Sequence, residues 1–566
     1  MRWRWALVGA LWTAAAFGAP RLEPPEVGWD NLVRAGEWNR LRAVLQVGPE
    51  GFSGTLRSVF GPVTRARREE APPFSRVVWE SYGFLSYLSE EASVGFTSSD
   101  GTEGRVLVSP RRLLSSEDAL LIGLVRDAGL LAPLQDRPLS RWWPERERGR
   151  MVALPYGGGE RLPQSWIGWR SADYLLSLGV PLEEAVPTET HRRAVRRWVA
   201  GGGVVILLDS GDVPPPDWVF GLGPVPQSGT AFLPLGEGGI LRADGRALLA
   251  ASRAGRWEEL EALWEAVLNE LPPPERWQPV PLEDREQELL RSRVVALTGR
   301  RLSPARRWAL GFLLIWGMGI TLVGGRLLRR RGGWAALVIL TAAVALLPGT
   351  ARNRNVQAPA HEVGFLRAYP QLGEARWLGA LEAPSALART MRIPLTALPA
   401  LYSLTPEPWT LDERDRVVRI ELAPNPERPS VWIGEAAVPF VGEAVLRSME
   451  GGRVQVEHSL PLQLDRAAVW WDGRAFFLAD LPAGAPRVGE PIQLPNRRYF
   501  WTNLELPHAL LHFWAREGVF DRYLKTGRSY LVGWARGLRV VGPKESRAEE
   551  SVQLLLIPCR WEEEPK

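Results

Sequence analysis

The sequence predicts a multidomain protein in which an α/β domain and two β-rich regions are combined with a two-helix transmembrane hairpin. Three observations lead to this prediction. Residues 308–350 contain two long uncharged runs, residues 119–208 alternate short apolar runs with a helical pattern, and the flanking segments follow the two-residue period of strands. A length of 566 residues with 45% hydrophobic residues is enough for several cores.

Composition excludes some classes of function. The net charge of +5 is small for this length, and no basic block stands out away from the predicted membrane flanks, so nucleic acid is not an expected partner. Cys559 is the single cysteine, which rules out an intrachain disulfide and a cysteine metal cluster.

Residues 1–18 are predicted to be a signal peptide. Arg2 and Arg4 precede an apolar stretch, and Ala16 and Gly18 occupy the positions that small residues take before a cut at Ala19. An uncleaved anchor is the alternative, and it gives the same topology downstream.

The hairpin is predicted from the spacing of charges. Arg307 and Arg326 bracket 18 uncharged residues, and Arg331 and Arg352 bracket 20 more. A bilayer core requires about 20 apolar residues. We therefore predict membrane helices at 308–325 and 334–350 with a cytoplasmic turn at 326–333, the alternative being a buried helical hairpin. Together with the signal, this predicts a plasma (inner) membrane protein with both large regions extracytoplasmic.

Residues 19–112 are predicted to form a β-sandwich. Residues 38–45 (WNRLRAVL) alternate between faces as a half-buried strand does, and further short strands are separated by Gly, Pro and Asp. Such a region is either a binding module or a plain spacer, and the sequence does not separate the two.

Residues 113–275 are predicted to form a flavodoxin-like α/β domain. Apolar strands are expected at 119–125 (ALLIGLV), 151–154, 172–178 and 204–208, with a helix at 189–200 before the last of them. Strands that alternate with helices indicate a parallel sheet with crossover helices.

Two stretches carry a resemblance to a known family. Residues 162–180 (LPQSWIGWRSADYLLSLGV) and 191–209 (HRRAVRRWVAGGGVVILLD) resemble the class I glutamine-amidotransferase-like domain of uncharacterised bacterial membrane proteins. True amidotransferases of this class use a cysteine nucleophile, and residues 113–275 contain no cysteine. The resemblance therefore implies a degenerate domain, with a partner in an envelope or transporter complex.

Other catalytic candidates in this domain are poor. His191 lies among arginines and is expected at the surface. Ser165 and Ser210 do not lie in a G-x-S-x-G elbow, the turn that exposes a serine nucleophile.

Two loops follow predicted strands, where α/β folds usually bind ligands. Their candidate ligand-binding residues are Gly157, Gly158, Gly159, Glu160, Asp209, Ser210 and Asp212. Glycine N–H groups suit an anion, and aspartates suit a cation or a hydroxyl-rich ligand. The alternative is that both loops are ordinary turns.

Residues 255–271 are predicted to form an amphipathic helix that places Trp257 in the core, and residues 276–307 a helical stalk. Residues 351–566 are predicted to be a β-rich extracytoplasmic domain, in which Asp472-Gly473 marks a hairpin.

A helix predicted at 507–524 carries His508 and His512 one turn apart. This spacing suits two metal ligands, and Glu505 or Glu517 could complete a site. Ala509 replaces the glutamate of the zincin pattern, so a packed or solvated pair is the favoured reading and no cofactor is expected.

The sequence thus favours a non-enzymatic, membrane-anchored protein that acts in recognition or assembly. The alternative is a ligand-binding sensor or hydrolase that uses the two strand-end loops.

Overall fold

The computed structural model divides the chain into two compact units, residues 1–282 and 283–566. The structure describes residues 19–274 and 361–562, apart from 62, 84, 86–91, 157–160, 179, 181, 183–185, 187, 210–230, 384–389, 395–399, 404–409, 415–416, 422–429, 472, 495–496, 507, 517, 519, 525–527, 539 and 541–550.

The strands and helices of the first unit are bounded as follows. The strands are β1 (Arg21–Leu22), β2 (Glu26–Val27), β3 (Leu32–Arg34), β4 (Asn39–Gln46), β5 (Phe52–Phe60), β6 (Val63–Ala71), β7 (Arg76–Gly83), β8 (Ala92–Ser98), β9 (Glu103–Leu107), β10 (Arg112–Leu114), β11 (Ala119–Val125), β12 (Arg137–Pro138), β13 (Arg150–Pro155), β14 (Tyr174–Leu178), β15 (Val204–Asp209), β16 (Ala231–Leu235) and β17 (Gly238–Asp244). The α-helices are α1 (Glu189–Ala200), α2 (Arg246–Arg253) and α3 (Trp257–Asn269).

The second unit is built mainly from strands. These are β18 (His361–Tyr369), β19 (Glu374–Ala383), β20 (Thr390–Pro394), β21 (Ala400–Ser403), β22 (Thr410–Arg414), β23 (Val417–Glu421), β24 (Ser430–Pro439), β25 (Ala444–Ser448), β26 (Val454–His458), β27 (Leu464–Trp471), β28 (Arg474–Leu481), β29 (Arg487–Ile492), β30 (Ser529–Arg536) and β31 (Val552–Glu562). Two α-helices, α4 (Arg497–Asn503) and α5 (Ala509–Arg516), lie between β29 and β30.

The predicted fold class is wrong, because the protein is mostly β, with about half of the described residues in strands. The predicted transmembrane hairpin has no support either. The longest described helix, α3, has 13 residues and is about 20 Å long, whereas a bilayer core is about 30 Å thick. No described helix is long and apolar enough to span a membrane. The predictions of a membrane protein, of transmembrane helices and of an inner-membrane localisation are therefore not supported.

Several predicted segments fall outside the described residues. They are the signal peptide (1–18), the stalk (276–307) and the three parts of the hairpin (308–325, 326–333 and 334–350).

The N-terminal β region, residues 21–114, contains two antiparallel sheets around one core. Strand β4 pairs with β1, β2 and β7, and the second sheet has the order β6-β5-β8-β9. Apolar side chains from both sheets share this core, among them Leu41, Leu56, Phe60, Trp79 and Phe96. Strand β3 pairs in parallel with β10 and leads the chain toward the next domain.

The α/β domain contains a sheet with the order β12-β13-β11-β14-β15-β17-β16. The five central strands are parallel, and the short strands β12 and β16 are antiparallel at the edges. Numbered along the chain, the parallel strands run 2-1-3-4-5, the doubly wound order of flavodoxin-like folds. Apolar runs form its central strands because both faces are covered.

Each face of the sheet has its own core. The short 3-10 helix Ala128–Leu134 packs with α2 and α3 on one face, and the 3-10 helix Trp166–Trp169 packs with α1 on the other. Consequently the connections that leave β11 and β14 cover opposite faces of the sheet.

Local sequence explains the bounds of α1. The Thr188 side chain accepts the backbone N–H of His191 at the start of the helix. The N–H of Gly201 bonds the last turn, and Gly202 has a φ of +116°, where a side chain would be strained.

The main sheet of the second unit runs β21-β24-β19-β18-β31-β25-β26-β29-β28-β27-β30. Strand β31 also pairs with β30, so the seven strands from β31 to β30 close on themselves. Strand β23 pairs antiparallel with both β20 and β22. The hairpin β27–β28 pairs Trp471 with Arg474 across two residues, where the sequence predicted an Asp-Gly turn.

A pair of facing glycines shapes the core of this unit. Gly364 and Gly379 are directly opposed on β18 and β19. A β-carbon on Gly364 would lie 2.1 Å from Trp377 Nε1, and one on Gly379 would lie 2.1 Å from Trp377 Cζ2. The two glycines therefore leave the space that the buried indole fills.

Candidate functional site

The carboxyl edge of the α/β sheet is the candidate ligand-binding edge, because doubly wound folds bind their ligands there. Tyr156 directly follows β13, and Asp209 ends β15 in register with Asp244 at the end of β17. The backbone of Asp209 therefore lies where the sequence predicted it. The other predicted ligand-binding residues, Gly157, Gly158, Gly159, Glu160, Ser210 and Asp212, are outside the described residues.

At the end of β13, the N-terminal β region meets the α/β domain through five polar side chains, which we call the Arg40 cluster. Its members are Glu26, Arg40, Glu80, Tyr156 and Arg161. Arg40 is buried and donates to the Tyr156 hydroxyl over 2.9 Å, to Glu80 over 3.4 Å and to the Arg161 carbonyl. Tyr156 in turn donates to the Arg161 carbonyl over 2.7 Å, and Arg161 pairs with Glu26 over 2.9 Å.

Aromatic rings pack against the Arg40 cluster. The ring of Trp29 contacts those of Tyr156 and Trp169 at centroid distances of 5.1 and 5.2 Å, and Trp169 contacts Trp198 at 5.2 Å. Arg40 also lies over the Trp29 ring, with 5.6 Å between its guanidinium carbon and the ring centroid. Charge, hydrogen bonds and stacking thus hold Arg40 in one position.

The electrostatics of the cluster and of the adjacent Tyr82, whose hydroxyl donates to Glu80 over 2.7 Å, disfavour proton transfer by the two phenols. Burial lowers the pKa of Arg40, but Tyr156, Glu80 and Glu26 together raise that pKa above its ordinary value. Burial raises the pKa of Tyr156, and burial beside Glu80 raises the pKa of Tyr82. Arg40 is therefore charged and both phenols are protonated near neutral pH, so neither phenol is a general base there.

A second polar cluster joins the same two parts of the chain at the amino edge of the sheet. Arg34 is fully buried and donates to Asp173 over 3.0 Å, and to the carbonyls of Ser171 and Ser115 over 2.9 Å each. Asp173 also accepts the Leu120 N–H over 2.6 Å. Burial raises the pKa of Asp173 to about 6, although Arg34 opposes the shift. This cluster lies at the edge opposite the usual ligand edge, so its role is to hold the two parts together.

His191 is buried, and the prediction of a surface residue is wrong. Its Nδ1 atom lies 2.6 Å from the Thr188 hydroxyl, and burial lowers its pKa. The residue belongs to the buried stripe of α1 with Ala194, Val195 and Trp198. This spacing of three, four and seven residues was a signal that His191 faces the core, despite its arginine neighbours.

The remaining polar candidates have local roles. The Ser165 hydroxyl accepts the Ile167 N–H at the start of a 3-10 helix, as a capping residue does. His508 Nδ1 accepts the Leu510 N–H over 3.1 Å, which caps α5, and Glu505 pairs with Arg466 over 2.7 Å. His512 is exposed.

Metal ligands do not cluster where the structure can be described. Within those ranges no group of three or more His, Cys, Asp or Glu side chains is placed to hold an ion. Glu517, the other possible third ligand, lies outside them.

A surface turn between β6 and β7 carries an exposed aromatic side chain that the sequence analysis does not predict. Phe74 is 80% exposed and has a φ of +56°. Its N–H donates to the Gly48 carbonyl over 3.1 Å, and the Ser75 hydroxyl donates to the Pro72 carbonyl over 2.6 Å. The Pro-Pro-Phe sequence was the available signal, since proline restricts a turn and leaves an adjacent aromatic residue at its tip.

Comparison with known proteins adds no family. No family model matches the chain, and no curated protein matches it either. The amidotransferase-like resemblance therefore stays a prediction.

Proposed function

We propose that this protein is a non-enzymatic recognition or assembly module that binds another protein through the first unit. The observation that carries the proposal is the turn at Phe74. The Phe74 side chain is 80% exposed, and its burial against a partner would contribute about 2 kcal/mol.

The turn is built to present this ring. Left-handed backbone at a residue other than glycine costs about 1 kcal/mol, and here the hydrogen bonds from Phe74 to Gly48 and from Ser75 to Pro72 hold it. The Val47 N–H also donates to the Ser75 carbonyl over 2.9 Å. A ring held on a rigid turn loses little entropy on binding, which is a property of interface anchors.

Three polar side chains of the first unit have local structural partners. His191 bonds to Thr188, Ser165 caps a helix, and Arg40 is bonded to the hydroxyl of Tyr156. These bonds give each side chain a role in holding the fold, which is compatible with a binding module.

The class of partner that we propose is a protein of an envelope or transport complex. This part of the proposal rests on the amidotransferase-like resemblance alone, and the Phe74 turn is independent of it.

The proposal is tested by affinity capture with the full-length chain. Bait proteins with Phe74, Phe74→Ala and Phe74→Ser are incubated with lysate from the source cells, and recovered proteins are quantified by mass spectrometry. We expect a defined set of proteins with the native bait and about a 10- to 100-fold loss with either variant, since anchor residues contribute about 2 kcal/mol or more.

Leu107→Ala is the matched control, because Leu107 is another large apolar side chain in the first unit and is 69% exposed. It should recover the same proteins as the native bait. Equal recovery by Phe74→Ala and native baits, or loss with all three variants, would refute the proposal.

A further inference from the structure

The strand order of the α/β sheet reverses at one point along its carboxyl edge. Strand β11 lies between β13 and β14, and the connections that leave β11 and β14 pack on opposite faces of the sheet. The two connections therefore diverge, and doubly wound folds bind their ligands beyond the ends of two such strands. This position differs from the two glycine- and aspartate-containing loops that the sequence singled out.

The side chain of Trp257 stands at this position. Trp257 is the first residue of α3 and is 54% exposed, whereas Leu260, Trp264 and Leu268 on the same helix are buried. A β-carbon on Gly129, in the turn after β11, would lie 3.8 Å from Trp257 Cη2. The prediction that Trp257 belongs to the core is therefore wrong, because the first turn of α3 projects past the packed layer.

The helix does not need this indole to stay in place. Trp264 donates from Nε1 to the Leu130 carbonyl over 2.7 Å, which ties α3 to the segment after β11. Leu260 and Leu268 fill the core beside it. The exposed face of Trp257 is thus free to stack on another ring.

Hydrogen-bonding groups flank the indole. Asp127 accepts the Gly129 N–H at Oδ1 over 2.9 Å and the Ser252 hydroxyl at Oδ2 over 3.1 Å. A carboxylate has about four acceptor positions, so each oxygen keeps one more. Arg126, the preceding residue, is exposed and forms no ion pair with the described residues.

We propose that residues 126–129 and Trp257 bind a planar nitrogen heterocycle with adjacent N–H donors, as in a guanine nucleotide. The ring stacks on the Trp257 indole, and its N–H and amino groups donate to the Asp127 carboxylate. The phosphate pairs with Arg126. The phosphate does not bind at the N-terminus of α3, because the carboxylates of Glu258 and Glu259 there disfavour an anion.

The experiment is isothermal titration of the full-length chain with guanosine 5′-monophosphate. Native protein should bind it, and Trp257→Ala should weaken binding by about 10- to 100-fold, the range for loss of one base-stacking partner. Trp257→Phe should retain most of the affinity. Inosine 5′-monophosphate lacks the amino group and should bind about tenfold more weakly than the guanine nucleotide.

Trp561→Ala is the matched control, because Trp561 is a 40% exposed tryptophan in the second unit and should leave the titration unchanged. Thermal unfolding confirms that the variants are folded. The proposal fails if the native protein gives no binding heat at millimolar nucleotide, if Trp257→Ala binds as the native protein does, or if the two nucleotides bind equally. None of these results bears on capture through Phe74.

Discussion

Arg34 and Asp173 form a buried ion pair that joins the N-terminal β region to the amino end of β14, with 3.0 Å between Nη2 and Oδ2. The two residues lie 139 positions apart in the chain. Burial lowers the pKa of Arg34 and raises the pKa of Asp173, so desolvation outweighs the attraction within the pair. The pair therefore fixes how two parts of the first unit meet more than it stabilises the fold.

The raised pKa of Asp173 predicts a pH dependence. The pKa moves from 3.8 to about 6, so the folded protein holds the proton more tightly than the unfolded chain does. The contribution of this carboxyl to stability is therefore largest below about pH 4 and is lost as pH rises through about 6, a change of about 3 kcal/mol.

Asp173→Asn supplies the comparison, because the amide does not titrate in this range. Hydrogen exchange of peptides from β11 and β14, measured between pH 4 and pH 7, gives the free energy of local opening. The free energy of local opening in the native protein minus that in Asp173→Asn should fall as pH rises. A difference that stays constant or rises with pH would show that folding does not raise the pKa of Asp173.

The Arg40 cluster predicts the effect of a single hydroxyl. Tyr156→Phe removes the oxygen that accepts from Arg40 over 2.9 Å and leaves a buried guanidinium N–H without that partner. We expect a loss of about 1–3 kcal/mol, measured as a lower unfolding temperature by calorimetry.

Tyr369→Phe is the control for this prediction. Its buried hydroxyl has no hydrogen-bond partner among the described residues, so its removal should be close to neutral. Equal effects of the two substitutions would mean that the Tyr156 hydroxyl has no special role.

The single cysteine predicts slow chemical modification. Cys559 as a whole is half-buried, but burial of its sulfur raises the pKa of the thiol from 9.0 to about 12, which lowers its thiolate fraction at pH 8 by about a thousandfold. A thiol-reactive disulfide reagent should therefore label the folded protein slowly at pH 8 and label it fully in denaturant. Comparable rates in the two conditions would contradict the burial of this thiol.

The space beside Trp377 predicts a cost for any added side chain. In Gly379→Ala the new β-carbon would approach Trp377 to 2.1 Å, so the indole or β19 must shift. We expect a loss of about 1–3 kcal/mol, the usual range for overpacking a core, measured by calorimetry. An unchanged unfolding temperature would show that the indole moves freely.

Local patterns in the sequence predicted local structure well. The run 119–125 forms β11 with the same bounds, helix α1 spans the predicted residues 189–200, and the Asp-Gly signal lies between β27 and β28. Each of these elements depends on neighbours in sequence, namely an apolar run, a helix cap or a turn residue.

Contacts between distant parts of the chain could not be predicted. Arg40 and Tyr156 are 116 positions apart, and neither has a spacing pattern that points to the other. The exposure of Trp257 is a similar case. Trp257 has the same helical spacing as the buried Leu260 and Trp264, which is typical of a core residue. It is exposed because the first turn of α3 extends beyond the sheet, and the sequence does not show where the sheet ends.

Strand β31 has a consequence for biosynthesis. It pairs with β18, β25 and β30, and its Gln553 bonds Glu362, which lies 191 positions earlier in the chain. A ribosome synthesises β18 long before β31, so during translation β18 can pair with β19 but not yet with β31. The second unit must therefore complete its sheet late in translation, and until then β18 is open to aggregation or to a chaperone.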